Sequence, residues 1–131
     1  MSHWEYRNKL ESSIGSQLEE ANIPFQYEVR VFEFTIPAKE RTYLTDFSIR
    51  LDNGKVFHIE TKGRLSPDDR RKYIAVKEQN PDIDLRFVFE KDNKLNKGGI
   101  HRYTDWARWK GFKYAVKTIP PEWFEEDNEN G

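Results

Sequence analysis

Residues 43–63 read YLTDFSIRLDNGKVFHIETKG, and the register of this segment decides the fold. It reads as strand, turn, strand, with Asp52-Asn53-Gly54 at the turn. A two-residue loop at Asn53-Gly54 would set Phe47 opposite Glu60 and mix apolar with polar side chains on both faces. A three-residue loop with Gly54 left-handed pairs Asp46 with Glu60, Ser48 with His58 and Arg50 with Val56. Phe47, Ile49, Leu51, Phe57 and Ile59 then share one apolar face, which a one-residue slip would destroy. The second register is adopted. It makes Asp46 and Glu60 cross-strand neighbours, a destabilising placement for like charges. Lys62 shares their face, since residues two apart on a strand point the same way. These are either ordinary surface charges or part of a metal-dependent site. One lysine offsets two carboxylates only in part, whereas a divalent cation would neutralise both.

Working outward, residues from about 4 to 21 read as an amphipathic helix, with Leu10, Ile14, Leu18 and Ala21 as its buried stripe. Glu11 falls at the rim of that stripe, within reach of a neighbouring sheet. FQYEVRVFEFTI (25–36) reads as one strand with a phase change near Phe32, and PAKER (37–41) as a polar break. Ser66 caps a second helix, with Pro67 at its first position and Asp68 and Asp69 at its positive end. IDLRFVFE (83–90) is a strand placed centrally, and DNKLNKGG (92–99) a basic loop. A short helix is expected from Thr104, as its cap, to Gly111, followed by a last strand and an aromatic end. The order predicts a single α/β domain over residues 1–131, a mixed sheet flanked by helices.

Composition narrows the chemistry. With 22 Lys+Arg against 23 Asp+Glu, the chain is no simple polycation, although residues 64–77 are locally basic. There are no cysteines, which excludes thiolate sites and thiol catalysis. No apolar run reaches membrane-spanning length, so a cytoplasmic protein is expected. The acidic EEDNENG end, about 126–131, is expected to be disordered. Asp46, Glu60 and Lys62, with Glu11 arriving from the first helix, form a candidate site. Oxygen ligands suit Mg²⁺ or Mn²⁺, and two such ions about 4 Å apart hold both attacking and leaving oxygens of a phosphodiester. The Thr61 carbonyl is a further candidate ligand.

An acidic hairpin residue followed by Glu-x-Lys resembles the PD-(D/E)xK nuclease pattern, with Thr45 in place of its proline. The longer agreement, from about Tyr6 to Glu125, resembles the phage endonuclease I family of Holliday-junction-resolving nucleases. It includes LESSIGSQLEEANIPFQYE, IPAKERTYLTDF, NGKVFHIETKG, DDRRKYIAVKEQNPDIDLRFVF, NKLNKGG and IPPEWF. The resemblance implies a restriction-endonuclease-like core with Glu11, Asp46, Glu60 and Lys62 as catalytic residues. It also implies a domain-swapped homodimer acting on branched DNA, with residues of about 4–36 exchanged and about 37–43 as the bridge. Where the family carries a further glutamate, this chain has Gln26, with Glu28 two residues on. The resemblance therefore leaves the role of that carboxylate open. Arg64, Arg70, Arg71, Lys72, Lys77, Lys94 and Lys97 are candidate DNA contacts, together with Lys91, His101 and Arg102 around the glycine loop. His58 is expected on the sheet surface. A nuclease for linear or nicked duplex, and a junction-binding protein with weakened catalysis, are the alternatives.

Overall fold

The structure is a computed structural model that describes residues 5–36 and 39–125. The expected tail at 126–131 and the middle of the expected bridge, Pro37 and Ala38, lie outside the described residues. Elements run α1 (Lys9–Glu20), β1 (Phe25–Tyr27), β2 (Val31–Ile36), β3 (Lys39–Leu44), β4 (Phe47–Arg50) and β5 (Val56–Lys62). Then follow α2 (Pro67–Gln79), β6 (Leu85–Phe89), α3 (Tyr103–Trp109), β7 (Lys113–Val116) and a 3₁₀ turn at Pro121–Phe124.

The β4–β5 hairpin has the three-residue loop. Phe47 faces Ile59, Ser48 faces His58 and Arg50 faces Val56. The Leu51 amide donates to the Lys55 carbonyl at 2.8 Å, and Gly54 has φ +89°. Phe47, Ile49, Leu51, Phe57 and Ile59 are all buried, as the alternation requires. The strand order is β1-β4-β5-β6-β7. β1, β4 and β5 are antiparallel, whereas β5, β6 and β7 are parallel. The sheet is therefore mixed, and β6 lies inside it with every residue buried.

Each face of the sheet carries its own core. Ile14 and Leu18 of α1 pack with the apolar hairpin face, Ile119 and Trp123. On the other face Tyr73 and Val76 of α2 and Trp106 of α3 pack on Phe87 and Phe89, with Phe34 and Tyr43 joining from β2 and β3. The α2 N-terminus is built as expected. Ser66 accepts from the Asp69 amide at 3.1 Å, and Asp69 accepts from the Ser66 amide at 3.1 Å, a reciprocal capping box.

Several expectations are corrected. Ala21 is exposed, so the α1 stripe ends at Leu18. The single strand at 25–36 is two. Glu28 adopts φ +52°, and the chain bends there before β2 begins. The polar PAKER stretch contributes to β3, which pairs with β2 as a separate two-stranded sheet. This hairpin lies over the His58 face. His58 is consequently buried, with Nδ1 at 2.8 Å from the Ser48 hydroxyl and its ring 4.9 Å from Phe32. Arg102, not Thr104, precedes α3; the Arg102 amide donates to the Asp105 carboxylate, while the Thr104 hydroxyl donates to Asp92. Gly111, at φ +81°, follows the helix as expected.

Gly54 is the residue that lets the loop close in this register. Gly54→Ala should lower unfolding free energy by about 1 kcal/mol, the cost of a Cβ in the left-handed region. Chemical denaturation measures it, and an unchanged midpoint would contradict this role for the loop.

Candidate active site

Glu11 sits on the third residue of α1, and its amide donates to the Asn8 side chain that caps the helix, at 2.9 Å. The cap turns the carboxylate inward over the sheet edge. Glu11 is 1% exposed, fully buried where the sequence predicts a rim position. The Tyr27 hydroxyl donates to Glu11 Oε1, and the Arg7 amide donates to the same oxygen at 3.0 Å.

Asp46 stands one residue ahead of β4, also 1% exposed. Its Oδ2 accepts from the Thr61 amide at 2.9 Å and from the Thr61 hydroxyl at 3.0 Å. Its Oδ1 accepts from the Arg7 guanidinium at 2.7 Å. Because Asp46 precedes the strand, alternation does not govern its side chain. Its carboxylate lies beside Glu11. Glu28, aimed by the bend after β1, completes a group. Glu11, Glu28 and Asp46 each offer an oxygen within 4.8 Å of one another. Hard oxygen donors at this spacing fit a divalent cation such as Mg²⁺ or Mn²⁺. Gln26 is exposed and outside this group.

Glu60 lies on the opposite side of β5. The Tyr43 hydroxyl donates to Oε1, and the Tyr73 hydroxyl donates to Oε2 at 2.9 Å. Asp46 and Glu60 thus have separate hydrogen-bond partners, while the Asp46 charge still acts on Glu60. Burial, followed by the Asp46 charge, pushes the Glu60 carboxyl up to about 8 despite the two tyrosine hydrogen bonds. Burial also raises Asp46, to about 6, with Glu11 adding to the shift; the Thr61 amide and Arg7 oppose it. Lys62 is half-buried, its ammonium 3.3 Å from Asp69 and 5.7 Å from the Tyr73 ring centre.

The basic candidates divide by what already holds them. Arg64, Lys94 and Lys97 are exposed. Arg71 pairs with Asp68. Lys72 lies over the Tyr43 and Tyr73 rings, at 5.4 and 4.8 Å. Lys77 donates to the Lys110 and Gly111 carbonyls at 3.0 and 2.8 Å. Its charge closes the C-terminus of α3, so it is bound inside the fold. Arg70 is half-buried, and its Nε has no hydrogen-bond partner. Arg7, Tyr27, Tyr43 and Tyr73 are site residues that sequence reasoning missed, and Glu28 was noted there without a role. The one signal, for Tyr27 and Tyr43 alone, was a tyrosine placed close to acids in a short strand.

The raised pKa values fix a pH dependence. Glu60 titrates near 4.5 when unfolded and near 8 when folded, and Asp46 near 3.8 and near 6. The unfolded chain therefore releases these protons first, and stability without divalent ions falls as pH rises through this window. Glu60→Gln should remove the upper part of the fall. Its melting temperature relative to wild type should be higher at pH 8 than at pH 5, and a constant difference would contradict the Glu60 shift.

A family profile described as Phage endonuclease I matches residues 2–130. The chain is 40% identical over 122 residues to Endonuclease I of Escherichia phage T7, covering 92% of this chain and 79% of that protein. It is 39% identical over 116 residues to Endodeoxyribonuclease 1 of Enterobacteria phage T3, covering 88% and 74%. A Vibrio cholerae protein of solved structure matches with TM-score 0.48 at 15% identity, over 82% of this chain and 28% of that one. By the profile match and both phage relatives, the chain belongs to the phage endonuclease I family.

Proposed function

We propose that this protein is a deoxyribonuclease that cuts branched DNA, including four-way junctions, by divalent-metal-dependent hydrolysis. The observation that carries the reading is the Glu11–Glu28–Asp46 group at the sheet edge, with Glu11 and Asp46 buried, in a chain whose relatives are endonucleases. Carboxylates are rarely buried together without a cation to face. Asp46, Glu11 and Glu60 are the proposed ligands of Mg²⁺ or Mn²⁺, two ions per site, with the Thr61 carbonyl and Glu28 contributing further oxygens. Bound there, the metal supplies Lewis-acid polarisation of a phosphate oxygen and acidifies its water.

The remaining roles fall to the chain itself. Thr61 fixes Asp46 through two donors, so the carboxylate is oriented before substrate arrives. Lys62, held by Asp69, would use its ammonium to stabilise negative charge on the phosphorane oxygens as water bonds to phosphorus and gives up a proton to solvent, and the ester P–O bond breaks with its leaving oxygen taking a proton up. Tyr43 and Tyr73 restrain Glu60. Exposed Arg64, Lys94 and Lys97 are the proposed phosphate contacts, which would position DNA without reading its sequence.

The proposed assembly is a homodimer that exchanges its N-terminal segment. In one chain β2 pairs with β3, starting from Ile36 opposite Lys39. Opening that connection would let β2 pair with a partner's β3 through the same contacts, and α1 would then carry Glu11 to the partner's Asp46. A twofold assembly suits a substrate with two strands to cut.

Two experiments test these readings. Asp46→Asn should cut junction cleavage in Mn²⁺ below about one hundredth of wild type, beyond the loss usual for groups behind the ligands, while binding is kept. Retained cleavage would remove Asp46 from this role, and cleavage surviving EDTA would remove the metal. Equal cleavage of junction and component duplexes would favour the linear-duplex reading. Separately, co-expressed Glu11→Gln and Asp46→Asn chains should regain junction nicking, because exchange rebuilds one intact site in each mixed dimer. Without exchange both sites stay defective and the mixture stays inactive.

A further inference from the structure

Arg7 precedes α1 by two residues, and the chain around it is fixed on both sides. Asn8 caps the helix. The Tyr6 ring packs at 4.8 Å from Tyr27 and lies over Gly15, where an added Cβ would come within 2.2 Å of the Tyr6 hydroxyl. The Arg7 side chain itself is 62% exposed. Its guanidinium nonetheless reaches each of the three clustered carboxylates. The distances are 2.9 Å to Glu11 Oε2, 2.7 Å to Asp46 Oδ1 and, from Nε, 2.8 Å to Glu28 Oε2.

A guanidinium is a permanent charge with its donors in a fixed fork, which suits several oxygens at once. A divalent ion of Mg²⁺ size demands those oxygens at about 2.1 Å in near-octahedral order. The two occupants need the same carboxylates and repel each other. We propose that Arg7 is a tethered counter-ion, which holds Glu11, Glu28 and Asp46 together when no divalent ion is bound and is displaced when one loads. This rests on the reading of these carboxylates as the metal site. Its exposure lets the side chain leave without opening either core, while the anchored neighbours Tyr6 and Asn8 keep it close. The fold thereby tolerates two buried carboxylates and a half-buried third before the metal arrives, at the cost of weaker metal binding.

The test is Mn²⁺ binding by calorimetry, without DNA, to wild type, Arg7→Ala and Arg7→Lys, with melting temperatures measured alongside. Arg7→Ala should bind Mn²⁺ roughly tenfold more tightly, the scale of a partly exposed charge contact shared over several partners. It should melt lower than wild type without the ion and show a larger rise on saturation. Arg7→Lys, which keeps the charge but loses the fork, should bind with an affinity between the two. Equal or weaker Mn²⁺ binding by Arg7→Ala, with wild type binding normally, overturns the inference alone. Failure of both chains to take up Mn²⁺ overturns the metal reading and this inference with it. Should Arg7→Ala not fold, the wild-type chain still decides the matter. The Arg7 Nε–H resonance should shift in step with Mg²⁺ uptake, and a resonance that stays put while Mg²⁺ binds overturns the displacement.

Discussion

The antiparallel register of β4 and β5 is the constraint on which the site depends. Phe47 opposite Ile59 sends five apolar side chains to the α1 face, where they are buried. Each such side chain contributes about 1.5–3 kcal/mol when fully buried. The same register delivers the Thr61 amide and hydroxyl to Asp46, and leaves Glu60 on the α2 face between two tyrosines. A slip by one residue would reverse every one of these placements. The core therefore holds the acidic groups where they are, against a cost of several kcal/mol for each desolvated ion.

The two faces of the sheet meet that cost differently. On the α1 face Glu11, Glu28 and Asp46 keep company with a cation, Arg7, and with donors from Tyr27 and Thr61. On the α2 face Glu60 has hydroxyl donors only, with Lys62 turned to Asp69, and its carboxyl is driven up to about 8. One site thus contains a carboxylate group gathered around an arginine and a carboxyl whose burial favours its protonated form. A divalent ion would draw the raised carboxyls of Asp46 and Glu60 toward the ionised form, because its charge acts in surroundings where fields are poorly screened.

Local rules made much of this legible. The apolar alternation, Gly54 in a three-residue loop, and Ser66-Pro67 ahead of α2 each involve neighbours in sequence or a single strand pair. What the sequence concealed depends on distant partners. Arg7 meets Asp46 across 39 positions, and Tyr73 meets Glu60 across 13. Glu28 points into the site because of a positive φ that no composition signal announces for a glutamate. Asp46 escapes strand alternation by lying one residue outside β4. β3 was hidden because KERTYL is mostly polar, and its hairpin covers a sheet face that a two-strand reading leaves open. That cover is also what buries His58.

The same distinction explains why net charge says little here about DNA. The near balance of 22 basic and 23 acidic residues counts every charge alike. In the fold, many of the cations are already committed. Arg7 serves the buried carboxylates, Lys62 the α2 cap, Lys77 the end of α3, and Arg86 lies between Asp84 and the rings of Phe57 and Trp123. Their loss would act first on folding or on the site. Arg64, Lys94 and Lys97 are exposed instead, and cations of this kind are the ones whose counterions a DNA backbone would exchange. Salt dependence of any DNA binding should therefore follow the exposed set rather than the net charge of the chain.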